Sequence, residues 1–564
     1  MSGPDHEQQG DAGDQVMPLL LGAHWLTDQP GGLPRYLSDL FDALRAAGLH
    51  PRATVAGPAV EAPVGVATGG HFAHPAPLRL IRFALAAGRA SRGVDVVDAH
   101  FAFYAFLPVV LGRLRRVPLV VHFQGPWAGE SLVEGETGLR VAAKRLVERA
   151  VYRRARAVVV LSGAFKEVLV GDYGLAPWDI HVVPPGVDLD RLTPGDRGAA
   201  RDLLGLPGGA RVVVAVRRLV PRMGLDVLIE AWAKLQPALP DAHLLIVGDG
   251  PERQRLQASA DRLGVGGSVR LLGGVDDDTV VQCYRAADVS VVPTVALEGF
   301  GLVVLESLAC GTPAVVTDAG GLPEAVRGLE LSAVVPAGDA GALATRLAAA
   351  LDGTGPLADA ARCRSYATSF GWPAVARRHQ EIYTEAVRPA AERRLRVVYL
   401  DHCAQLSGGE LALLRLLPAL DEVDAHVVLG EDGPLVDRLR RAGVSVEVFE
   451  IAVAARALRR DRVRPGRLPL AAAAHAAEHT ARLARRLRRL QPDLVHTNSL
   501  KAALYGGVAA RMAQVPAVWH IHDRISDDYL PPAARRLVHL SSRLLPSAVI
   551  ANSAATLDAL GAGA

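Results

Sequence analysis

PTVALEGFGLVVLESLACGTPAVVTDAGGLPE, residues 293–324, decides the fold. A short apolar run, Val289 to Val292, ends at Pro293 and a glycine-bearing turn, Glu298-Gly299-Phe300-Gly301. An apolar helical pattern follows and carries Glu306, and Cys310-Gly311-Thr312-Pro313 closes it before a second apolar run, Ala314 to Thr317. Strand, glycine turn, helix and strand make a βαβ unit of parallel sheet. Glycines let backbone N–H groups approach a ligand closely, and the helix N-terminus behind them favours anions such as phosphates. A diphosphate fits that end. Glu298 and Glu306, eight residues apart, can accept hydrogen bonds from different hydroxyl-bearing parts of one ligand, such as a sugar and a ribose.

The same alternation runs outward in both directions. Strand-like runs recur at Pro18 to Gly22, Val94 to Asp98, Pro118 to His122 and Ala157 to Leu161, then at Val212 to Val216, His243 to Val247 and Val269 to Leu272. Helical patterns separate them, so the expectation is an α/β protein of doubly wound parallel sheets. The first group ends at Val182-Val183-Pro184-Pro185-Gly186-Val187-Asp188, and the polar, Gly- and Pro-containing segment that follows to about Gly209 is the expected hinge. Two facing domains place a substrate beyond the carboxyl ends of their strands, in the cleft between them.

The chain also repeats itself. Val94 to Trp127 is similar to Gln491 to Arg524, and an offset of 398 sends Asp95 to Asp493, Pro118 to Pro516 and His122 to His520. Gly31-Gly32 pairs with Gly408-Gly409, and VVVLS ending at Ser162 pairs with VIANS ending at Ser553. The first domain therefore occurs twice. Only 564 − 553 = 11 residues follow Ser553, which predicts a second copy that lacks a donor half and is inactive alone, with truncation the first explanation.

Composition excludes several classes. Lys+Arg 62 against Asp+Glu 59 gives no nucleic-acid footprint. Cys283, Cys310, Cys363 and Cys403 lack CxxC spacing, which argues against a disulfide framework and a zinc site and makes the cytoplasm the expected compartment. Residues 1–15 are polar without a basic n-region and read as a disordered tail, and no apolar stretch approaches the roughly 18 residues that span a bilayer.

EGFG followed by Glu306, then CGTP and GGLPE, resembles the paired-glutamate motif of retaining glycosyltransferases of family 4, whose fold is the two-domain GT-B arrangement. The resemblance is complete over about 16–388, with a partial second copy over 395–564. It implies an acceptor-type Rossmann-like domain over 16–190, a nucleotide-sugar donor domain over 191–372, a returning helix and linker over 373–392, and a third Rossmann-like domain over 395–564. By resemblance Glu298 lies near the transferred sugar and Glu306 accepts from the ribose. Backbone N–H groups of Gly299, Phe300, Gly301 and Leu302 face donor sugar and phosphate, and Gly31-Gly32 closes over the phosphate from the other domain.

Arg217-Arg218-Leu219-Val220-Pro221-Arg222-Met223-Gly224 resembles the family's Arg-Leu…Lys-Gly signature, which neutralises the diphosphate; Arg218 takes the arginine position, and Met223 stands where lysine is expected. Arg222 or Arg217 is the candidate substitute for that charge. Phe123-Gln124-Gly125-Pro126-Trp127 resembles FHGPW, with Gln124 in place of histidine, so no titratable base is present there; His122 sits one pleat deeper, and His100 matches another cleft position. The implied activity is retaining, metal-independent transfer of a sugar from a nucleotide-diphosphate sugar to a glycan or lipid-linked hydroxyl acceptor, without a cofactor. A non-catalytic nucleotide-sugar-binding protein is the rival that Met223, Gln124 and the unpaired copy support. An epimerase or phosphorylase of the same fold is a third, and the phosphorylase would need a cofactor lysine where the donor domain has only Lys234, on a helix.

Three further features have ordinary explanations. His475-Ala-Ala-Glu478-His479 has the HxxEH zinc-peptidase spacing but no evident third ligand. Asp276-Asp277-Asp278 reads as a solvated turn. The eleven arginines from Arg456 to Arg489 suit either a wet helix face or a peripheral contact with an anionic membrane, and the former is favoured.

Overall fold

The computed structural model describes residues 16–26, 31–58, 62–329, 333–355, 357–389, 392–451, 470–522, 525 and 530–560. The expected tail over 1–15, the arginines from Arg456 to Arg467, and Asp523 lie outside them. Three parallel sheets organise the rest. The first contains β1 (Pro18–Gly22), β2 (Arg52–Val55), β3 (Val66–Thr68), β4 (Val96–Ala99), β5 (Leu119–Phe123), β6 (Ala157–Val160) and β7 (Ile180–Val182), in the order β3-β2-β1-β4-β5-β6-β7. The second contains β8 (Arg211–Val216), β9 (Ala242–Val247), β10 (Val269–Gly273), β11 (Val289–Val292), β12 (Ala314–Thr317) and β13 (Ala333–Val335), in the order β10-β9-β8-β11-β12-β13. The third contains β14 (Leu395–Asp401), β15 (Val423–Leu429), β16 (Ser445–Val448), β17 (Leu494–Thr497), β18 (Ala517–Ile521) and β19 (Ala548–Ala551), in the order β16-β15-β14-β17-β18-β19.

Central strands such as β1, β6 and β11 are buried along their whole length, as continuous Leu/Val/Ala runs under helices on both faces require. The nine expected strands lie within one or two residues of their positions. In the first two sheets β2, β3, β7 and β13 were missed. Each is only three or four residues long, and β2 and β3 read RATV and VAT, too short and too polar to announce a strand.

Register confirms the repeat. Val97 pairs with Leu119 across β4 and β5, and Val495 pairs with Ala517 across β17 and β18, the same offset of 398 on both strands. The chain divides into two compact units, one of residues to Leu169 plus Ile180–Arg388, the other of Val170–Asp179 plus Pro389–Ala564. Val170–Asp179, expected inside the first domain, thus belongs to the packing of the second unit. There Ala176 shares an apolar cluster with Val398, Leu400 and Leu487, and Asp179 pairs with Arg396.

Within the first unit the hinge is held at Val187, which bridges Gly371 and donates its N–H to the Phe370 carbonyl at 2.9 Å. The helix Trp372–Val387 then returns from the second sheet onto the helix Gly32–Ala46 and the first sheet at β4 and β5, which is why two sheets in succession form one unit.

Candidate functional site

The glycine turn is built around backbone contacts that admit no side chain. Gly301 has φ +84°, in the left-handed region, and opens the helix Leu302–Ala309. A Cβ on Gly320 would stand 2.1 Å from the Glu298 carbonyl oxygen and one on Gly321 2.1 Å from that of Gly299, so the Gly-Gly of GGLPE is the backing of the EGFG turn. Phe300 is buried and packs on Phe370. Leu302 comes within 4.0 Å of the place a Cβ on Gly32 would occupy, so the acceptor domain's glycine loop meets the donor domain's helix N-terminus here. Gly31 caps the N-terminus of the helix Gly32–Ala46.

Three arginines follow β8, and they are committed differently. Arg217 is buried and donates from Nη2 to both Thr294 and Glu298. Burial pushes the Glu298 carboxyl up, but Arg217, Arg222 and the Thr294 hydroxyl more than reverse this, leaving it below the usual carboxylate range. Arg222 is buried as well, donates to the Leu297 carbonyl at 3.1 Å and forms an ion pair with Glu130 at 3.0 Å. Leu297 has φ +57°, unusual for a residue with a side chain, and Arg222 holds it there beside Glu298. Arg218 is exposed and makes no ion pair with the described residues. Partial desolvation and its neighbour Arg222 lower its pKa, which marks a cationic cluster with one guanidinium left over.

Met223 does not belong to that cluster. It is 6% exposed and packs in the apolar cluster with Leu219, Leu225 and Val291, so the expected donor contact at this position is replaced by core packing. Gly224 beside it is forced: with φ +67°, a Cβ there would stand 2.0 Å from the Pro293 carbonyl oxygen.

Glu306 lies on the helix Leu302–Ala309 and accepts from the Tyr284 hydroxyl at 3.2 Å. Burial raises its pKa, and the facing Arg35 and Arg191 only partly offset this. It lines a small pocket with Arg35, Asp188, Arg191, Leu302 and Trp372, residues that come from both domains and the hinge.

His100 and His122, expected to line the cleft, are 2% and 1% exposed and lie beneath its surface. Their rings stack at 4.9 Å, and His379 from the returning helix stacks on the other face of His122 at 5.7 Å. Gln124 is half-buried above them, its Nε2 2.9 Å from His122 Nδ1.

Several cross-domain residues gave no signal in the sequence. Glu324 of GGLPE accepts from the backbone N–H groups of Gly163 and Ala164 at 2.9 and 3.0 Å, tying the donor domain to the acceptor domain. Glu130 does the same through Arg222. Asp277, expected on a solvated turn, instead accepts two hydrogen bonds from Arg35 at 2.5 and 2.7 Å, while Asp276 caps the helix Asp277–Ala286 through Thr279 N–H. Ion pairs between domains have no periodicity to read, because their partners lie 92 to 242 residues apart in the chain.

His479 of the HxxEH spacing is buried against Phe449 and Tyr505, and among the described residues no group of three His, Cys, Asp or Glu could hold a metal. The helix Leu470–Leu490 buries Leu483, Ala484 and Leu487 and pairs Arg486 with Glu447, so its described apolar face is core. No helix among the described residues is long and apolar enough to cross a membrane.

Comparison with known proteins agrees with this geometry. The family model described as Glycosyltransferase Family 4 matches residues 30–191 and again 435–563, and that described as Glycosyl transferases group 1 matches 196–370. The D-inositol 3-phosphate glycosyltransferase 2 of Catenulispora acidiphila is 33% identical over 314 residues, 54% of this chain and 73% of the relative. The D-inositol 3-phosphate glycosyltransferase of Corynebacterium jeikeium is 34% identical over 312 residues, 53% of this chain and 74% of the relative. Among solved structures, the sucrose-phosphate synthase of Thermosynechococcus elongatus aligns with a TM-score of 0.55 at 25% identity, over 66% of this chain and 98% of its own. Anabaena HepE in complex with UDP and glucose aligns at 0.56 and 21% identity, over 66% of this chain and all 100% of its own, a likeness of fold. With two α/β sheets facing across the EGFG turn and a third repeating the first, the chain belongs to glycosyltransferase family 4 and is a glycosyltransferase of the GT-B type.

Proposed function

We propose that this chain moves a sugar from a nucleoside-diphosphate sugar to a hydroxyl acceptor, with retention at the anomeric carbon and without a metal ion or other cofactor. The observation that carries the proposal is the division of labour among three arginines: Arg217 holds Glu298 ionised, Arg222 is spent on Glu130 and Leu297, and Arg218 is left over. Charge develops on the leaving diphosphate in the transition state. A preorganised cation and the backbone N–H groups of Gly299 to Leu302 stabilise that charge more than they stabilise the ground state. Arg218 then does what a divalent ion does elsewhere. Glu306 accepts from the ribose hydroxyls, and Glu298 lies beside the transferred sugar. The departing phosphate takes the acceptor's proton, so the uncharged Gln124 is compatible with turnover.

Anabaena HepE, which shares the fold, is solved in complex with UDP and glucose and with UDP-glucose, which supports a nucleoside-diphosphate donor here. The test is product analysis: an axial or equatorial anomer matching that of the donor, and turnover undiminished by a chelator. An inverted product overturns retention. Release of nucleoside diphosphate that does not depend on an acceptor overturns transfer, and donor binding with no release of nucleoside diphosphate favours the binding-protein alternative.

For a glycan or lipid-linked acceptor, the helix Ala76–Ala90 of the acceptor domain supports a peripheral contact with the inner face of the membrane. Leu78, Ile81 and Leu85 are exposed at 40, 51 and 55%, with Arg82 and Arg89 beside them. An apolar stripe flanked by cations suits an anionic bilayer. Sedimentation with anionic vesicles, lost in an Ile81→Ser/Leu85→Ser double variant, tests that contact.

A further inference from the structure

Asp98, at the end of β4, is fully buried, and its Oδ2 accepts from the Tyr383 hydroxyl at 2.6 Å and stands 3.4 Å from His100 Nε2. Above it His100, His122 and His379 form a column of nearly parallel rings, with interplanar angles of 7° and 1°. Tyr36 packs on His122 at 4.5 Å. Such a column in an apolar core is costly unless its polar atoms are used. His122 Nδ1 meets the half-buried carboxamide of Gln124 at 2.9 Å.

We propose that His122 is a positioning residue that fixes the carboxamide of Gln124, so that Gln124 presents its oxygen to the cleft as an acceptor for a substrate hydroxyl. This rests on the transfer reading given above. A free glutamine side chain is nearly symmetric in shape, and either its oxygen or its NH₂ group can face the ligand. Its neighbour decides which. The ring is neutral, because burial and the flanking His100 and His379 hold its pKa well below the ordinary value against the opposing pull of Asp98. A neutral imidazole has one N–H and one acceptor. Asp98 Oδ1 and His122 Nε2 are both buried without a hydrogen-bond partner, and the negative charge of Asp98 favours the proton on Nε2 rather than on Nδ1. Nδ1 is then the acceptor, the Gln124 NH₂ group donates to it, and Oε1 is left for the cleft.

Gln124 is also placed for that task. It precedes Gly125, whose Cβ position is 3.0 Å from the Glu130 carboxylate that pairs with Arg222 of the donor domain. The orienting column is completed by His379, which the chain supplies only after the donor domain. The carboxamide's orientation is therefore locked by residues from both sides of the hinge.

Two measurements on the full chain test this. In the first, His122→Leu and Gln124→Ala are each expected to lower kcat at least about tenfold while nucleotide affinity stays within about twofold, the pattern of an interaction used in the transition state. The double variant should be no slower than the slower single one, and His122→Asn, which keeps an acceptor oxygen near the Nδ1 position, should recover most of the loss. An unchanged kcat in His122→Leu, or losses that multiply in the double variant, overturns the proposal. In the second, ¹⁵N NMR of the wild-type protein, with His122 assigned by comparison with His122→Asn, should show a bare Nδ1 and a protonated Nε2, and the Nδ1 resonance should move in Gln124→Ala. A protonated Nδ1 overturns the proposal. This second readout holds if His122→Leu does not fold, and it also holds if the wild type transfers no sugar, which would defeat the functional reading instead.

Discussion

The first and third sheets share strand order and register, yet they bury their charge on different strands. In the first, the charge is Asp98 on β4, and β1 ends at Gly22. In the third, the residue in register with Asp98 is His496, and the buried carboxylate is Asp401 at the end of β14, which accepts from Asn498 Nδ2 at 2.8 Å and the His402 N–H at 2.7 Å. His100, His122 and Gln124 correspond to Asn498, His520 and His522. His122 is sealed at 1% exposure, whereas His520 is only half-buried. The difference comes from the helix Trp372–Val387, whose His379 and Tyr383 close the first column. What packs on a repeated sheet, more than the sheet itself, decides which of its polar residues become a preorganised group.

The largest effect is expected from removing the unpaired cation of the first module. Arg218→Ala should lower turnover by at least about 10²-fold, the scale of a lost transition-state donor. Activity that persists at the wild-type level would mean that the second copy supports catalysis, and the contrast would fall. Next, Glu306→Ala should weaken nucleotide binding by about ten- to a hundredfold, because a ribose hydroxyl loses an ionised acceptor worth about 1.5–3 kcal/mol. Calorimetric titration with a nucleoside diphosphate measures this directly, and undiminished affinity would remove the ribose assignment.

Acid unfolding sharpens the comparison on a smaller scale. Burial pushes the Asp98 carboxyl up, but His100, His122 and His379 bring it down to about 2. A carboxyl whose folded pKa is depressed stabilises the fold above its unfolded value and loses that contribution as pH falls through the folded value. Asp98 should therefore contribute about 2 kcal/mol that disappears between roughly pH 4 and pH 2. Asp98→Asn should flatten the dependence of the melting temperature on pH in that window. In the second copy the corresponding sensitivity should follow Glu447, brought down to about 2 against burial by His426 and Arg486, and Glu447→Gln should flatten it. The smallest effect is expected at His520→Leu, which should leave turnover within about twofold of wild type, in contrast to His122→Leu.

The sequence alone carried most of the fold and the glycine turn that opens the helix Leu302–Ala309. Nine strands were legible because a central parallel strand is buried on both faces and must be written in Val, Leu, Ile and Ala, and the repeat was legible because its spacing is conserved between copies within one chain. Gly301, Gly320 and Gly321 were legible as a motif because Gly301 takes a left-handed φ of +84° and no side chain fits at Gly320 and Gly321 against the carbonyls of Glu298 and Gly299. The short strands β2 and β3 were not, since three or four residues carry too little pattern to read, and the placement of Val170–Asp179 with the second unit was not, since a ten-residue segment carries no mark of which core it joins.

Side-chain commitments were decided only by the tertiary structure. Arg217, Arg218 and Arg222 lie within six residues, and although the resemblance put Arg218 at the diphosphate, only the partners Glu298 and Glu130 show that Arg217 and Arg222 are committed elsewhere. Met223 looked like a missing lysine and is a piece of core. His100 and His122 looked like cleft residues and lie beneath it, covered by His379 from a helix more than 250 residues further along the chain. Backbone geometry and continuous burial leave a local, periodic trace in the residues that produce them. The pairing of charges and the stacking of rings depend on residues brought together from distant parts of the chain, and no local pattern records them.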